Sequence, residues 1–229
     1  MKNNNNMQEQ TLEFHTALSR FSHEIRNPLS LLNSELQRLS SFHPELEELS
    51  EWNNIMENLA YIQELLNEFS WYSNAQRLTF TPTDLNEYLP AVIHTYQSTL
   101  DYLGIACKTN FAPNLPVLSI DRIKLRQALL NLMRNAQESI THSHGEISIS
   151  AALEENKQLC ICISDNGCGI DPALIPKLCT PFVTHKENGT GLGLAITKQI
   201  IQAHHGHLEI TSTPGNGTCI RLFLPLSDQ

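Results

Sequence analysis

The sequence predicts an α+β protein in two parts, a helical hairpin followed by an α/β sandwich. Three observations predict it. From Ile25 the apolar residues Leu29, Leu32, Leu36 and Leu39 recur at steps of four, three, four and three, the period of a coiled-coil seam. Ile55, Leu59, Ile62, Leu66 and Phe69 repeat the same steps. After Leu78 the period breaks into short strand-like runs mixed with capped helices, the pattern of a sheet covered on one face by helices.

The elements follow in order. The Asn3 to Asn6 tract is polar, so residues 1–10 are expected to be a disordered tail. The first seam helix ends in a turn around Ser40 to Pro44, and the second helix returns antiparallel to it. A lone hairpin leaves half its apolar surface wet, so two hairpins are expected to pair as a homodimeric four-helix bundle. With Ile25 at heptad position a, His23 falls at f, the outward face, where packing does not require it. Pro28 cannot donate to the carbonyl of Glu24 and is expected to bend the helix. The boundary is expected near Ser73 to Leu78, giving a dimerisation domain over 11–75 and a second domain over 76–229.

In the second domain, Thr79 to Pro82 reads as a short strand, and Asp84 caps a helix through about Leu103. Gly104 to Phe111 reads as a strand, and Asp121 caps a helix to about Thr141. Glu146 to Ala152 and Gln158 to Ser164 read as paired strands. A glycine-rich loop region comes next, then a helix from about Gly191 to His204 that stops at Gly206. Leu208 to Ser212 and Thr218 to Leu224 close the chain as a hairpin. His204, His205 and His207 surround the Gly206 stop, where the helix dipole favours cations.

Composition narrows the function. The chain has 229 residues, of which 41% are hydrophobic, enough for a packed core. Its net charge of −9 argues against nucleic acid, which needs a basic face. No stretch reaches the ~20 apolar residues of a membrane span, and no apolar signal-peptide core opens the chain. Six cysteines include no Cys-x-x-Cys pair, as expected of buried thiols in a reducing cytosol.

Four clusters carry chemistry. His23 is followed by the carboxylate of Glu24 and, one helical turn on, by the amide of Asn27. An imidazole near its pKa is partly neutral and nucleophilic, and an adjacent carboxylate can take its proton. Asn131 and Asn135 lie four apart, hence on one helix face, and amide oxygens suit magnesium; two polar residues on a solvated face are the plainer alternative. Asp165 ends an apolar strand and can accept from an exocyclic amine, with Gly167 and Gly169 letting a base approach; an ordinary turn is the alternative. Gly189, Gly191 and Gly193 precede a helix, whose N-terminal N–H groups can hold phosphate. A dinucleotide fold would need a strand immediately before those glycines, and a polar loop stands there instead.

Taken together, these stretches resemble the sensor histidine kinases of two-component signalling. Phe21 to Leu29 is similar to the family's H box, Asn131 to Ala136 to the N box, and Asp165 to Ile170 to the G1 box. Pro181 to Lys186 resembles the F box and Gly189 to Leu194 the G2 box. The resemblance runs from about Thr11 to Leu226. It implies a Bergerat (GHKL) ATP-binding sandwich for the second domain. It implies His23 as the phosphoacceptor, Glu24 as its base, and Asn27 as an amide that positions water for phosphatase activity. It assigns the metal to Asn135 and phosphate contact to Asn131. Adenine falls to Asp165 with Gly167 and Gly169, and phosphate contact also to Lys186, Gly189, Thr190, Gly191, Leu192 and Gly193. Residues Thr184 to Asn188 would form a short lid, with His185 where the family often has threonine.

The expected function is therefore a cytoplasmic ATP- and magnesium-dependent protein histidine kinase. It would autophosphorylate on His23 and pass the phosphoryl group to an aspartate of a response regulator receiver domain. The alternatives are a GHKL-type ATPase or a degenerate scaffold. ATPase relatives use a glutamate one turn before the metal asparagine, and Asn131 holds that place here. The residues before Thr11 are too few for a sensor domain, so the chain is expected to be either a soluble kinase controlled by a regulatory protein or the catalytic part of a longer one, and Met1 favours the former.

Overall fold

The computed structural model describes residues 2–154, 157–184 and 189–226; the side chains of residues 2–16 and of His23 lie outside that description. The chain divides into two compact units, Met1–Asn74 and Ala75–Gln229.

In the first unit, α1 (Lys2–Phe42) and α2 (Ser50–Asn74) pair side by side, joined by a short 3-10 helix over Pro44–Glu48. Helix α1 begins at Lys2, so residues 2–10, expected to lie in a disordered tail over 1–10, are helical instead. Asparagine is a weak helix former, but extending a helix already nucleated costs far less than starting one. Pro28 lies inside α1. Arg26 Nη2 donates to Asn67 Oδ1 at 3.1 Å, a contact across the hairpin.

The two seam positions of each helix fare differently. Leu59 and Leu66, seven apart on α2, are buried, whereas Ile55 and Ile62 are 49% and 41% exposed. On α1, Leu32 and Leu39 are 46% and 44% exposed, while Leu29 and Leu36 are half-buried. One heptad position is covered within the hairpin and the other is left open.

The second unit is an α/β sandwich. Its main sheet has five strands in the order β2 (Ala106–Phe111), β4 (Glu146–Glu154), β5 (Gln158–Asp165), β7 (Thr218–Pro225) and β6 (His207–Ser212). All pairs are antiparallel except β2 with β4. Two further strands, β1 (Thr81–Asp84) and β3 (Val117–Ile120), form a small antiparallel sheet. Strand β3 is absent from the sequence reading, since Val117 to Ile120 is too short to show a period of its own.

Helices α3 (Leu85–Tyr102), α4 (Arg122–Ser139) and α5 (Gly193–Ala203) pack on one face of the main sheet. Alternation along the strands aims Ile147, Ile149, Leu159, Ile161, Ile163, Ile220, Leu222 and Leu224 at Leu89, Leu125, Leu129, Leu132 and Ile201 in a single core. Both predicted caps form: Asp84 accepts from the backbone N–H of Asn86, and Asp121 from those of Ile123 and Lys124. Among the described residues, no helix is long and apolar enough to cross a membrane.

His204 corrects one expectation. It is 5% exposed, its Nε2 accepts from the Asp121 backbone N–H at 3.0 Å, and its Nδ1 donates to Ile200 O at 2.8 Å. An imidazole that accepts at Nε2 is neutral, so dipole attraction for a cation does not explain it; it clips the end of α5 to the start of α4. Burial pushes its pKa below the ordinary value of about 6.5, against the opposing pull of Ile200 O and Asp121. The unfolded chain thus binds this proton more readily than the folded one. The stabilisation is complete above about pH 6.5 and declines as pH falls below it toward the lowered folded value. Between about pH 7 and pH 5, the melting temperature of the wild type should fall more steeply than that of His204→Gln, as read by calorimetry. Parallel curves would refute the clip.

Candidate nucleotide site

Helix α4 is the spine of the site. Asn131, in its middle, is 8% exposed, and its Nδ2 donates to Gly193 O at 3.3 Å. Gly193 opens α5, and Thr197 Oγ1 also donates to its carbonyl, at 2.9 Å. One turn beyond Asn131, Asn135 is half-buried on the same face of α4. Eight residues past Asn131, about 12 Å along the axis, Ser139 ends the helix.

Ser139 holds the other end of the site. Its hydroxyl donates to Asp165 Oδ1 at 2.9 Å, and its carbonyl accepts from Cys168 N at 2.9 Å. Asp165 Oδ1 also accepts from Gly167 N at 2.9 Å. The approach at Gly167 is so close that a Cβ would lie 2.1 Å from Ser139 Oγ and 2.5 Å from Ser139 O. Only glycine fits there. Burial raises the Asp165 pKa, and it outweighs the opposing hydrogen bonds from Gly167 N–H, the Ser139 hydroxyl and the Thr218 backbone. Gly169 follows at the turn of the same loop, where Gly215 N donates to Cys168 O at 2.8 Å.

The loop before α5 is pinned in turn. Phe182 N donates to Gly191 O at 3.1 Å. Gly191 has φ +69°, and a Cβ there would come within 2.7 Å of the Phe182 and Val183 backbone. Leu192 is fully buried, and its N–H donates to Thr190 Oγ1 at 3.2 Å. Leu192, the N-cap, offers no side-chain cap to α5, so the first N–H groups of the helix remain for an anion. Gly189 leads into this turn.

The structure therefore gathers Asn131, Asn135, Asp165, Gly167, Gly169, Thr190, Gly191, Leu192 and Gly193 around α4. Lys186 and His185, the expected lid contacts, lie outside the described residues. His23, Glu24 and Asn27 belong to α1 in the other unit; Glu24 and Asn27 are exposed, and the His23 side chain lies outside the description. Sequence reasoning missed Ser139. It sits 26 residues from Asp165, and a lone serine at a helix end carries no local signal of that partner.

Residues 120–228 match the family model described as the histidine kinase-, DNA gyrase B-, and HSP90-like ATPase. The signal transduction histidine-protein kinase AtoS of Escherichia coli strain K12 is 31% identical over 91% of this chain and 34% of its own length. The sensory histidine kinase/phosphatase NtrB of Rhizobium meliloti strain 1021 is 32% identical over 91% of this chain and 58% of its own. The chain thus spans between a third and three fifths of these curated relatives. Among solved structures, full-length ShkA in complex with AMPPNP superposes with a TM-score of 0.79 at 23% identity, over 93% of this chain and 46% of that one. A nucleotide-free catalytic domain of the histidine kinase ThkA superposes with a TM-score of 0.58 at 28% identity, over 65% of this chain and 97% of that one.

Proposed function

We propose that the chain is a sensor histidine kinase, with the ATPase-like region at residues 120–228, and that it phosphorylates itself on His23 using ATP. A single observation carries the reading: α4 alone ties down both ends of a nucleotide cradle, at Gly193 through Asn131 and at Asp165 through Ser139.

The residues present fit an adenine nucleotide. The Asp165 carboxylate accepts from the exocyclic amine of the base, and Gly167 and Gly169 keep side chains off its face. The N–H groups opening α5, with Gly189, Thr190, Gly191 and Leu192, take phosphate oxygens, and Lys186 adds a charge. Asn131 has its N–H on the Gly193 carbonyl, which supports a positioning role beside phosphate contact. Asn135 would hold magnesium, whose charge offsets that of the phosphates. Asp165 is half-buried and Gly167 is pressed against Ser139, which supports a base site over a solvated turn.

On the helical unit, His23 attacks the γ-phosphorus as ADP departs, and Glu24 accepts the imidazole proton. The phosphoryl group then passes to an aspartate of a response regulator receiver domain. Asn27, exposed one turn from His23, positions the water that later removes it, which gives a phosphatase activity. The open seam residues Leu32, Leu39, Ile55 and Ile62 support a homodimeric four-helix bundle. The setting is the cytoplasm, and a regulatory protein supplies the signal.

Incubation with γ-labelled ATP and magnesium should place an acid-labile, alkali-stable label on the protein. The label should disappear in His23→Gln, while that variant keeps nucleotide binding. Label surviving on His23→Gln would rule out the assignment, and phosphate release without bound label would favour an ATPase.

A further inference from the structure

Alternation along β5 and β7 splits their side chains between two faces of the sheet. Leu159, Ile161 and Ile163 on β5, with Ile220, Leu222 and Leu224 on β7, enter the core. Cys160, Cys162 and Ser164 therefore share the opposite face with Cys219 and Arg221. In the antiparallel register Cys162 pairs with Arg221 and Ser164 with Cys219, so Cys162 and Cys219 are diagonal neighbours. Their sulfurs are 3.0 Å apart, and both residues are only half-buried.

We propose that Cys162 and Cys219 form a reversible dithiol–disulfide site that closes under peroxide-type oxidants and reaches the Asp165 end of the nucleotide site. The effect on nucleotide rests on the function proposed above; the disulfide does not.

The chemistry divides between the two sulfurs. Arg221 donates a hydrogen bond to the Cys219 sulfur. The Cys162 thiol is pushed up to about 12, first by burial and then by its hydrogen bond to Cys219, so Cys162 keeps its proton and donates. The Cys219 thiol gives up its proton as its sulfur attacks one oxygen of hydrogen peroxide; the O–O bond breaks, the departing hydroxide takes that proton as water, and a sulfenic acid remains. Cys162 sulfur then attacks the sulfenic sulfur; hydroxide leaves and takes the Cys162 proton as a second water. Two thiols and one peroxide become one disulfide and two waters, with two electrons passing from sulfur to oxygen. Cys160 lies on the same face, but burial and the Glu154 carboxylate push its thiol up to about 11, and its partner across the strands is Phe223.

Closure reaches the site through register. Cys162 is three residues before Asp165, and Cys219 follows Thr218, the cross-strand partner of Asp165. The Thr218 backbone also donates to the Asp165 carboxylate. Bringing the sulfurs from 3.0 Å to a bond of about 2.05 Å pulls the ends of β5 and β7 together beside that carboxylate.

The test treats the full chain with hydrogen peroxide, alkylates the remaining thiols and maps peptides by mass. The expected result is a linked pair of peptides carrying Cys162 and Cys219, reversed by dithiothreitol and absent from Cys162→Ser and Cys219→Ser. Affinity for a fluorescent ATP analogue should fall at least threefold on oxidation of the wild type and stay unchanged in either variant. Linkage through any other pair, or stable over-oxidation of Cys219 with Cys162 still free, would overturn the site. Equal affinities of the reduced and oxidised wild type would overturn the coupling. Failure of the reduced wild type to bind the analogue would count against the proposed function, and the peptide map would then judge the disulfide alone.

Discussion

Replacing Asp165 by asparagine is expected to weaken adenine-nucleotide binding by about fivefold to a hundredfold and to leave the fold intact. Oδ1 of Asp165 is engaged by the Ser139 hydroxyl and the Gly167 N–H and the carboxylate also accepts from the Thr218 backbone, so an incoming amine takes a remaining lone pair of the second oxygen. Asparagine supplies one oxygen and one NH2 group. With its oxygen on Ser139 and Gly167, it turns a donor toward the donor of the base. With the amide flipped, it strands two internal donors. Either arrangement is one acceptor short, a loss of about 1–3 kcal/mol, and 1.4 kcal/mol is already tenfold. Titration with a fluorescent ATP analogue reads the affinity, and far-ultraviolet circular dichroism reads the fold. An inosine nucleotide, with a carbonyl in place of the amine, should lose less on the same substitution. Equal affinities of wild type and variant for the adenine nucleotide would remove Asp165 from the site.

Substituting Gly167 by alanine is expected to lower stability by about 2–4 kcal/mol and to abolish tight nucleotide binding with it. The added methyl would stand 2.1 Å from Ser139 Oγ and 2.5 Å and 2.7 Å from the Ser139 carbonyl oxygen and carbon. The hydroxyl can rotate away, but the carbonyl belongs to the last turn of α4 and cannot. The loop must lift from the helix, breaking the Cys168 N–Ser139 O bond and drawing Asp165 off the Ser139 hydroxyl. Overpacking contributes about 1–3 kcal/mol and the two lost bonds about 0.5 kcal/mol each. For a domain of this size the melting temperature should drop by about 5–15 °C. A variant melting within a degree of the wild type would show that the loop is not seated on α4.

The two substitutions differ in what they break. The asparagine variant removes an acceptor from a loop that stays in place, so affinity falls and melting does not. The alanine variant displaces the loop, so both fall together. Measuring both quantities on both variants separates recognition of the base from construction of its pocket.

Much of the architecture was readable from local pattern. The helix caps at Asp84 and Asp121, the paired strands β4 and β5, and the closing hairpin of β6 and β7 each depend on residues near one another in the chain. Local sequence reports such features because caps, alternation and turns act over a few residues. The resemblance of Asn131 to Ala136, Asp165 to Ile170 and Gly189 to Leu194 to known boxes likewise picked out most of the residues of the candidate site.

What local sequence could not supply were the contacts that join these pieces. Strand β3 needed its partner β1 to be visible, because four residues show no period. The neutral state of His204 depends on a backbone N–H 83 residues away, and sequence alone suggested a cation there. The same holds for the grip of Ser139 on Asp165 and of Asn131 on Gly193. Strand alternation, helix caps and the kinds of group that can bind a nucleotide are legible along the chain, because short-range sterics and periodicity make those choices. Which of those groups meet is set by the folded packing, since burial and hydrogen bonding between distant segments exist only once the sheet has brought α4, β5 and α5 together.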